Sequence, residues 1–206
     1  FEGADNIVVV TITGTLSGSY NSAEIAKKIY LEEHPDTKIH VIDSLSAGGE
    51  VDLLVRKLNH LVAEGLDFDQ VLDAITAYQA KTKLLFVLAK VDNLVKNGRL
   101  SKLVGTVVGL LNIRMVGEAS KTGTLELLQK ARGQKKAIKA AFDELIKAGY
   151  TGGHITIAHR NNDKFIEQFS ELIREKFAQA SIEVLPTSGL CSFYAEEGGL
   201  LMGYEI

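Results

Sequence analysis

The sequence predicts an α/β fold in which a parallel-sheet βαβ domain is followed by a smaller α+β domain. In the first half, apolar β-branched runs alternate with segments whose apolar residues recur at helical spacing. In the second half, shorter strand-like runs include two that are joined by a Lys-Thr-Gly turn, which is typical of a hairpin. Contents of 46% hydrophobic and 24% charged residues are ordinary for a folded protein with a core.

The first half alternates three predicted strands with three predicted helices. Its first strand is a continuous apolar run, as expected for a parallel strand that is buried on both faces. Pro35 ends the first helix and Gly65 ends the second. The strands are predicted at residues 6–12, 38–42 and 84–88, and the helices at 21–33, 51–63 and 67–80. We expect the three strands to share one parallel sheet through right-handed connections.

The second half differs from the first in its predicted elements, which include a hairpin and shorter strands. Helices are predicted at residues 93–98, 99–111, 134–148 and 163–178, and strands at 113–119, 124–129, 154–158, 181–185 and 200–206. The change from alternating strands and helices to a hairpin and shorter strands predicts a domain boundary that divides residues 1–104 from residues 105–206. The chain opens at Phe1 rather than a methionine, and a strand follows almost at once. We therefore expect the first domain to be incomplete at its N-terminus.

Charge and composition argue against several classes of partner. The net charge is −3 with the signs well mixed, which disfavours nucleic acid, because nucleic-acid binding requires a concentrated basic surface. No run approaches the roughly 20 apolar residues of a membrane span. Cys191 is the single cysteine and cannot form an internal disulfide, which fits a reducing cytoplasm.

Hydroxyl side chains cluster in the loop that follows the first strand. Thr13, Thr15, Ser17 and Ser19 lie where the strand ends and a helix begins, and ligands of open α/β sheets bind at that edge. Hydroxyls and backbone N–H groups there suit an anion. The alternative is that these small residues only cap the helix and let the chain turn. The glycine spacing matches neither a dinucleotide fingerprint nor a phosphate-binding P-loop, so an anion other than a nucleotide phosphate is favoured.

The sequence shows no catalytic set and no metal site. Asp43 follows the second predicted strand beside two serines, where it either orients a hydroxyl or caps a helix. No histidine is placed to complete a nucleophilic triad with it. The five histidines are scattered, without the spacing of metal ligands, and the carboxylates form no acid–base constellation. The pattern therefore favours binding over catalysis.

Several motifs, in order along nearly the whole chain, resemble the signatures of the DegV family. They are LSGSYNSA at residues 16–23, VIDSLSAGG at 41–49, KNGRLSK at 96–102, GLLNI at 109–113 and KARGQKK at 130–136. The resemblance implies a two-domain α/β fold that encloses one long-chain fatty acid, such as palmitate or oleate, between its domains. It further implies a carrier that presents the acyl group to a fatty acid kinase. The phosphoryl chemistry then belongs to the kinase, and the carrier needs neither catalytic residues nor a cofactor.

The resemblance also points to the residues of the head-group site. It implies that Ser17, with help from Thr13, Thr15 and Ser19, holds the fatty-acid carboxylate. Arg99, in the Gly-Arg-Leu-Ser turn, is expected to lie at the same rim and to neutralise that charge. The alternative for this arginine is an ordinary exposed position in a turn.

The chain departs from the family pattern in two places. Tyr194 stands where the family has a histidine, which makes it a candidate neighbour of the head group. The family's Thr-Ser-Gln-Pro-Ser segment lies upstream of Phe1. Two other functions stay open from the sequence. One is an enzyme that acts on a small phosphorylated or hydroxylated substrate at the Thr13–Ser19 loop. The other is a structural or regulatory module that has lost the ligand.

Overall fold

The computed structural model describes residues 3–100 and 112–206. Within them, β1 and β2 form a two-stranded parallel sheet in which Ile7 lies opposite Ile39 and Thr11 opposite Asp43. The elements of the first half are β1 (Asn6–Thr11), α1 (Ser19–Glu33), β2 (Lys38–Asp43), α2 (Gly49–Ala63), α3 (Phe68–Gln79), β3 (Thr82–Leu88) and α4 (Asp92–Lys96). The β1–α1–β2 unit that the sequence predicts is therefore confirmed.

A mixed six-stranded sheet forms the larger part of the molecule. Its strand order is β5-β4-β3-β8-β6-β7, and only the β6–β7 pair is parallel. The elements of the second half are β4 (Ile113–Ala119), β5 (Leu125–Arg132), α5 (Gln134–Lys147), β6 (His154–His159), α6 (Asp163–Lys176), β7 (Ser181–Pro186), α7 (Gly189–Ala195) and β8 (Leu200–Glu205). The short helix α7 is absent from the prediction.

The prediction that β3 belongs to the parallel sheet is wrong. β3 lies inside the six-stranded sheet and pairs antiparallel with both β4 and β8. Its apolar run has another cause, because both of its faces are covered. Leu85 and Val87 pack into one core cluster, and Phe86 and Leu88 pack into another. The mixed α/β class is confirmed, while the boundary at residues 104/105 lies outside the described residues.

Two apolar clusters lie on opposite faces of the six-stranded sheet. The α5/α6-face cluster is built around Val116, Phe165 and Phe169 beneath helices α5 and α6. The α4/α7-face cluster is built from Phe86, Leu88, Val91, Leu94, Leu100, Met115 and Ala195, with Tyr194, Ile113, Leu125, Leu127 and Leu201 packed against it. The predicted helix 99–111 falls mainly outside the described residues, but Arg99 and Leu100 form a bend rather than a helical turn.

Helix α2 joins the two sheets. Leu54, Leu58 and Leu61 pack beneath β2 and α3, while the first turn of α2 contacts β6 and β8. At this contact a Cβ atom on Gly49 would overlap the carbonyl oxygen of Thr156, and one on Gly203 would overlap the backbone nitrogen of Glu50. Both positions therefore require glycine for the close backbone approach.

Candidate functional site

The loop between β1 and α1 is held by an aspartate on the neighbouring strand. Both carboxylate oxygens of Asp43 lie 3.1 Å from the backbone nitrogen of Gly14 and accept its N–H. Oδ1 of the same carboxylate also accepts the N–H of Leu45 at 3.0 Å. Asp43 therefore fixes the backbone of the two loops that follow β1 and β2. Among the described residues it accepts no hydroxyl hydrogen bond, and the N-cap of α2 is Gly48, so its role differs from both alternatives that the sequence offered.

Thr13 and Thr15 connect the same loop to the β4–β5 hairpin. Their hydroxyl oxygens lie 2.9 Å apart, and the Thr15 hydroxyl donates to the carbonyl oxygen of Gly123 at 2.8 Å. Thr13 is 1% exposed, and Gly123 packs directly over it with a φ of +78°. The hydroxyls of both threonines are thus already engaged within the protein.

Ser17 and Ser19 form a local turn at the start of α1. The Ser17 hydroxyl donates to the Ser19 hydroxyl at 3.1 Å and accepts the backbone N–H of Ser19 at 3.2 Å. No side chain caps α1, whose N-cap residue is Gly18. Ser19 is exposed and Ser17 is partly buried. These two hydroxyls and the start of α1 are accessible to a ligand, unlike the Thr13 hydroxyl.

Arg99 connects this loop to α7. Its Nε donates to the carbonyl oxygen of Leu16 at 3.2 Å, and its Nη1 donates to that of Asn97 at 2.6 Å. The guanidinium carbon lies 5.9 Å from the centroid of the Tyr194 ring, within range of a cation–π contact. The structure thus brings together three features that the sequence singled out separately: the hydroxyl loop, the Gly-Arg turn and Tyr194.

Tyr194 joins this polar group of residues to apolar surface. Its ring packs against the α4/α7-face cluster and lies 5.0 Å, centroid to centroid, from the Phe193 ring in an edge-on arrangement. The residues Leu16, Ser17, Ser19, Arg99 and Tyr194 are called the head-group cluster below. The cluster has charged and hydroxyl groups at one end and continuous apolar side chains at the other.

A second feature, which the sequence did not indicate, is a cavity of about 940 Å³ between α3, the loop after β2 and the β4–β5 hairpin. Many of its lining residues are polar or charged, including Asp43, Gln79 and Lys121, and apolar residues such as Leu45 and Leu84 line it as well. Glu50 also lines the cavity; it is 5% exposed and accepts a hydrogen bond from the Thr82 hydroxyl at 2.8 Å. Burial raises the pKa of this carboxyl above its ordinary value.

The fold and the head-group cluster define an α/β protein with a small polar site at the edge of an apolar sheet face. The described residues include no helix of the length and apolarity needed to cross a membrane. Residues 1–204 match the profile of a family described as an uncharacterised protein, DegV family. The chain belongs to the DegV family.

Close relatives support this assignment. A DegV domain-containing protein of Streptococcus pneumoniae serotype 4 is 79% identical over 206 residues, which are all of this chain and 73% of the relative. The crystal structure of the S. pneumoniae Fatty Acid Kinase (Fak) B3 protein, loaded with linoleic acid, matches with a TM-score of 0.98 and 79% identity, over all of this chain and 73% of that one. A DegV family protein of Eubacterium eligens, loaded with heptadecanoic acid, matches with a TM-score of 0.95 and 40% identity, over all of this chain and 74% of that one.

Proposed function

We propose that this protein binds one long-chain fatty acid, such as palmitate or oleate, with its carboxylate at the head-group cluster. The convergence of Arg99, the carbonyl of Leu16 and the ring of Tyr194 carries the proposal. A carboxylate placed beside Ser17 and Ser19 would receive hydroxyl hydrogen bonds, and Arg99 would supply the opposite charge. The crystal structures of two similar proteins loaded with fatty acids support the same ligand class.

The acyl chain would lie along the α4/α7-face cluster. Tyr194 and Leu100 belong to that cluster and adjoin Arg99 in space or in sequence, so the polar and apolar parts of the site are continuous. Burying about 14 methylenes at roughly 0.8 kcal/mol each contributes about 11 kcal/mol. Association costs of about 4–15 kcal/mol oppose this term. The contacts to the carboxylate therefore decide whether binding is tight, because an unpaired buried charge is costly.

Thr13 and Thr15 have a supporting part in this proposal. Their hydroxyls bond to each other and to Gly123, so they fix the backbone that presents Ser17. In this proposal the ligand would lie where the β1–α1–β2 unit meets the six-stranded sheet, between the two parts of the molecule.

We propose a carrier role without catalysis, in the cytoplasm and without a cofactor. The similar S. pneumoniae protein is described as the B3 protein of a fatty acid kinase. By this likeness the present protein would present its acyl ligand to a kinase, which supplies the nucleotide and the phosphoryl transfer. The head-group cluster contains one arginine, two serines and a tyrosine, which suffice to hold a carboxylate.

Mass spectrometry of lipid extracted from the purified protein tests the proposal. We expect one fatty acid per chain, or uptake of added palmitate or oleate by protein that has been stripped of lipid. An empty protein that also takes up neither acid would contradict the proposal. Turnover of sugar phosphates or dihydroxyacetone without an added kinase would instead support an enzyme at the Thr13–Ser19 loop.

A further inference from the structure

A polar cavity of about 560 Å³ lies at the start of α5 and α6. It is on the face of the six-stranded sheet opposite the head-group cluster. On β4, Ile113 and Met115 pack into the α4/α7-face cluster and Val116 packs into the α5/α6-face cluster. Because side chains alternate along a strand, Arg114 points to the α5/α6 face, where it lines this cavity.

Arg114 is a partly buried cation whose side chain lines this cavity. Its Nε and Nη1 are inaccessible to solvent and have no hydrogen-bond acceptor among the residues that the structure describes. No ion pair between described residues includes it. The Nε2 of Gln134, which also lines the cavity, is buried and likewise has no partner in the part of the chain that the structure describes. Unpaired buried donors of this kind are destabilising, and a charged one more so.

Two helix starts add to the positive potential of the cavity. Gln134 and Asp163, the first residues of α5 and α6, both line it. Each helix has 14 residues and neither has a side-chain cap. The Asn162 side chain, at the N-cap position of α6, instead donates to the carbonyl oxygen of Gly198 at 2.7 Å. The first N–H groups of such helices attract anions.

The carboxylates at the rim of the cavity do not neutralise Arg114. Oε2 of Glu197 lies 3.7 Å from Nε of Arg160 and accepts a hydrogen bond from the Asn161 side chain at 3.1 Å. The side chain of Asp163 is 92% exposed. Both negative groups are therefore directed to other partners or to solvent. The Arg114 guanidinium has no counterion among the described residues.

We propose that this cavity binds the phosphate group of a small soluble molecule, with Arg114 and Gln134 as donors and the starts of α5 and α6 completing the site. Arginine is suited to this ligand, because its planar donors match two phosphate oxygens at once. Because Nε and Nη1 are inaccessible in the unliganded structure, the guanidinium would have to rotate for them to donate to the phosphate. The volume leaves room for an organic group attached to the phosphate. This inference is independent of fatty-acid binding.

Calorimetric titration with inorganic phosphate and with glycerol 3-phosphate tests the site in the wild type and in Arg114→Gln. We expect saturable binding of one or both ligands, weakened about tenfold or more in the variant. Tighter binding of glycerol 3-phosphate than of inorganic phosphate would show that the site also binds the organic group. Arg174→Gln is the matched control, because Arg174 is exposed in the last turn of α6, at the far end of that helix from the cavity.

Thermal unfolding distinguishes a lost site from a lost fold. Arg114→Gln removes a partly buried charge whose Nε and Nη1 have no partner among the described residues, so the Tm of the unliganded variant is expected to equal or exceed that of the wild type. Added phosphate should raise the Tm of the wild type and of Arg174→Gln but not that of Arg114→Gln. Failure of both phosphates to bind the wild type, or equal binding by wild type and Arg114→Gln, would overturn the proposal.

Discussion

Arg99 and Leu16, 83 residues apart in sequence, are joined by a hydrogen bond of 3.2 Å from the guanidinium Nε to the Leu16 carbonyl oxygen. The bond places a cation beside Ser17 without using the whole guanidinium group, since its remaining donors can serve a ligand. Lysine has no second, fixed donor with which to make the backbone bond and contact a carboxylate at the same time.

Arg99→Lys should therefore weaken binding of palmitate, measured by calorimetry, while binding of methyl palmitate stays nearly unchanged. The ester has no charge for Arg99 to neutralise. Arg174→Lys, at an exposed position on α6, is the control for a general effect of replacing an arginine. Equal losses for acid and ester would show that Arg99 only holds the loop in place.

Ser17→Ala should lower palmitate affinity about tenfold to a hundredfold, because one hydrogen bond to a charged group is lost. The Ser17 hydroxyl also orders the turn before α1, so the Tm must be measured with the dissociation constant. Thr122→Ala, which removes a hydroxyl from the β4–β5 hairpin, provides the comparison. A lower Tm with unchanged affinity would mean that Ser17 serves the turn alone.

Glu50→Gln should change how stability depends on pH. Burial raises the pKa of Glu50 above its ordinary value of 4.5, so the folded protein holds this proton to a higher pH than the unfolded chain does. Between the two pKa values the folded state binds more protons, and the free energy of unfolding falls as the pH rises. Glutamine does not titrate and can keep the bond that Glu50 accepts from Thr82.

The variant should therefore gain stability relative to the wild type as the pH is raised from about 4 to about 7. Urea unfolding at several pH values measures the difference. Glu167→Gln, at an exposed position on α6, is the matched control. A difference between Glu50→Gln and the wild type that stays constant with pH would refute this account of Glu50.

Gly203→Ala should destabilise the protein by about 1–3 kcal/mol or more, as overpacking does in other cores. The added Cβ would overlap the backbone of Glu50 at the contact between α2 and β8, and backbone atoms have little freedom to move. Gly18→Ala meets no atom within 4 Å and has a φ of −72°. Gly18→Ala should lower the free energy of unfolding by about 1 kcal/mol or less, because it replaces a glycine N-cap. Similar midpoints of urea unfolding for the two variants would contradict the steric argument.

The sequence predicted most element bounds but not the arrangement of β3. A continuous apolar run shows that both faces of a strand are buried, and Phe86 and Val87 do lie in clusters on opposite faces. The run does not show whether the neighbouring strands are parallel or antiparallel, because helices cover both faces of this antiparallel centre as well. The pairing with β8 depends on residues more than 100 positions away, which local periodicity does not encode.

The head-group cluster shows a similar limit. The sequence predicts Arg99 near the hydroxyl loop, and the structure shows a contact with Leu16 of that loop. The contact does not arise from a shared sheet edge, because β3 and β1 belong to different sheets. That Arg99 and Ser17 bind a carboxylate stays a prediction. Gln134 lies in the KARGQKK motif and Arg114 directly follows GLLNI, but neither motif predicts a site at these residues. Only the folded structure shows that their buried donors have no partner among the described residues.

The pairing of β3 with β8 has a consequence for synthesis of the protein. Thr82 pairs with Glu205 and Val87 with Leu200. The central strand β3 therefore cannot complete its pairing until the ribosome has made β8, more than 100 residues later. Until β8 emerges, one edge of β3 is unpaired and the apolar side chains of Phe86 and Leu88 lack part of their cover. A fatty acid would therefore be enclosed only after β8 has been synthesised.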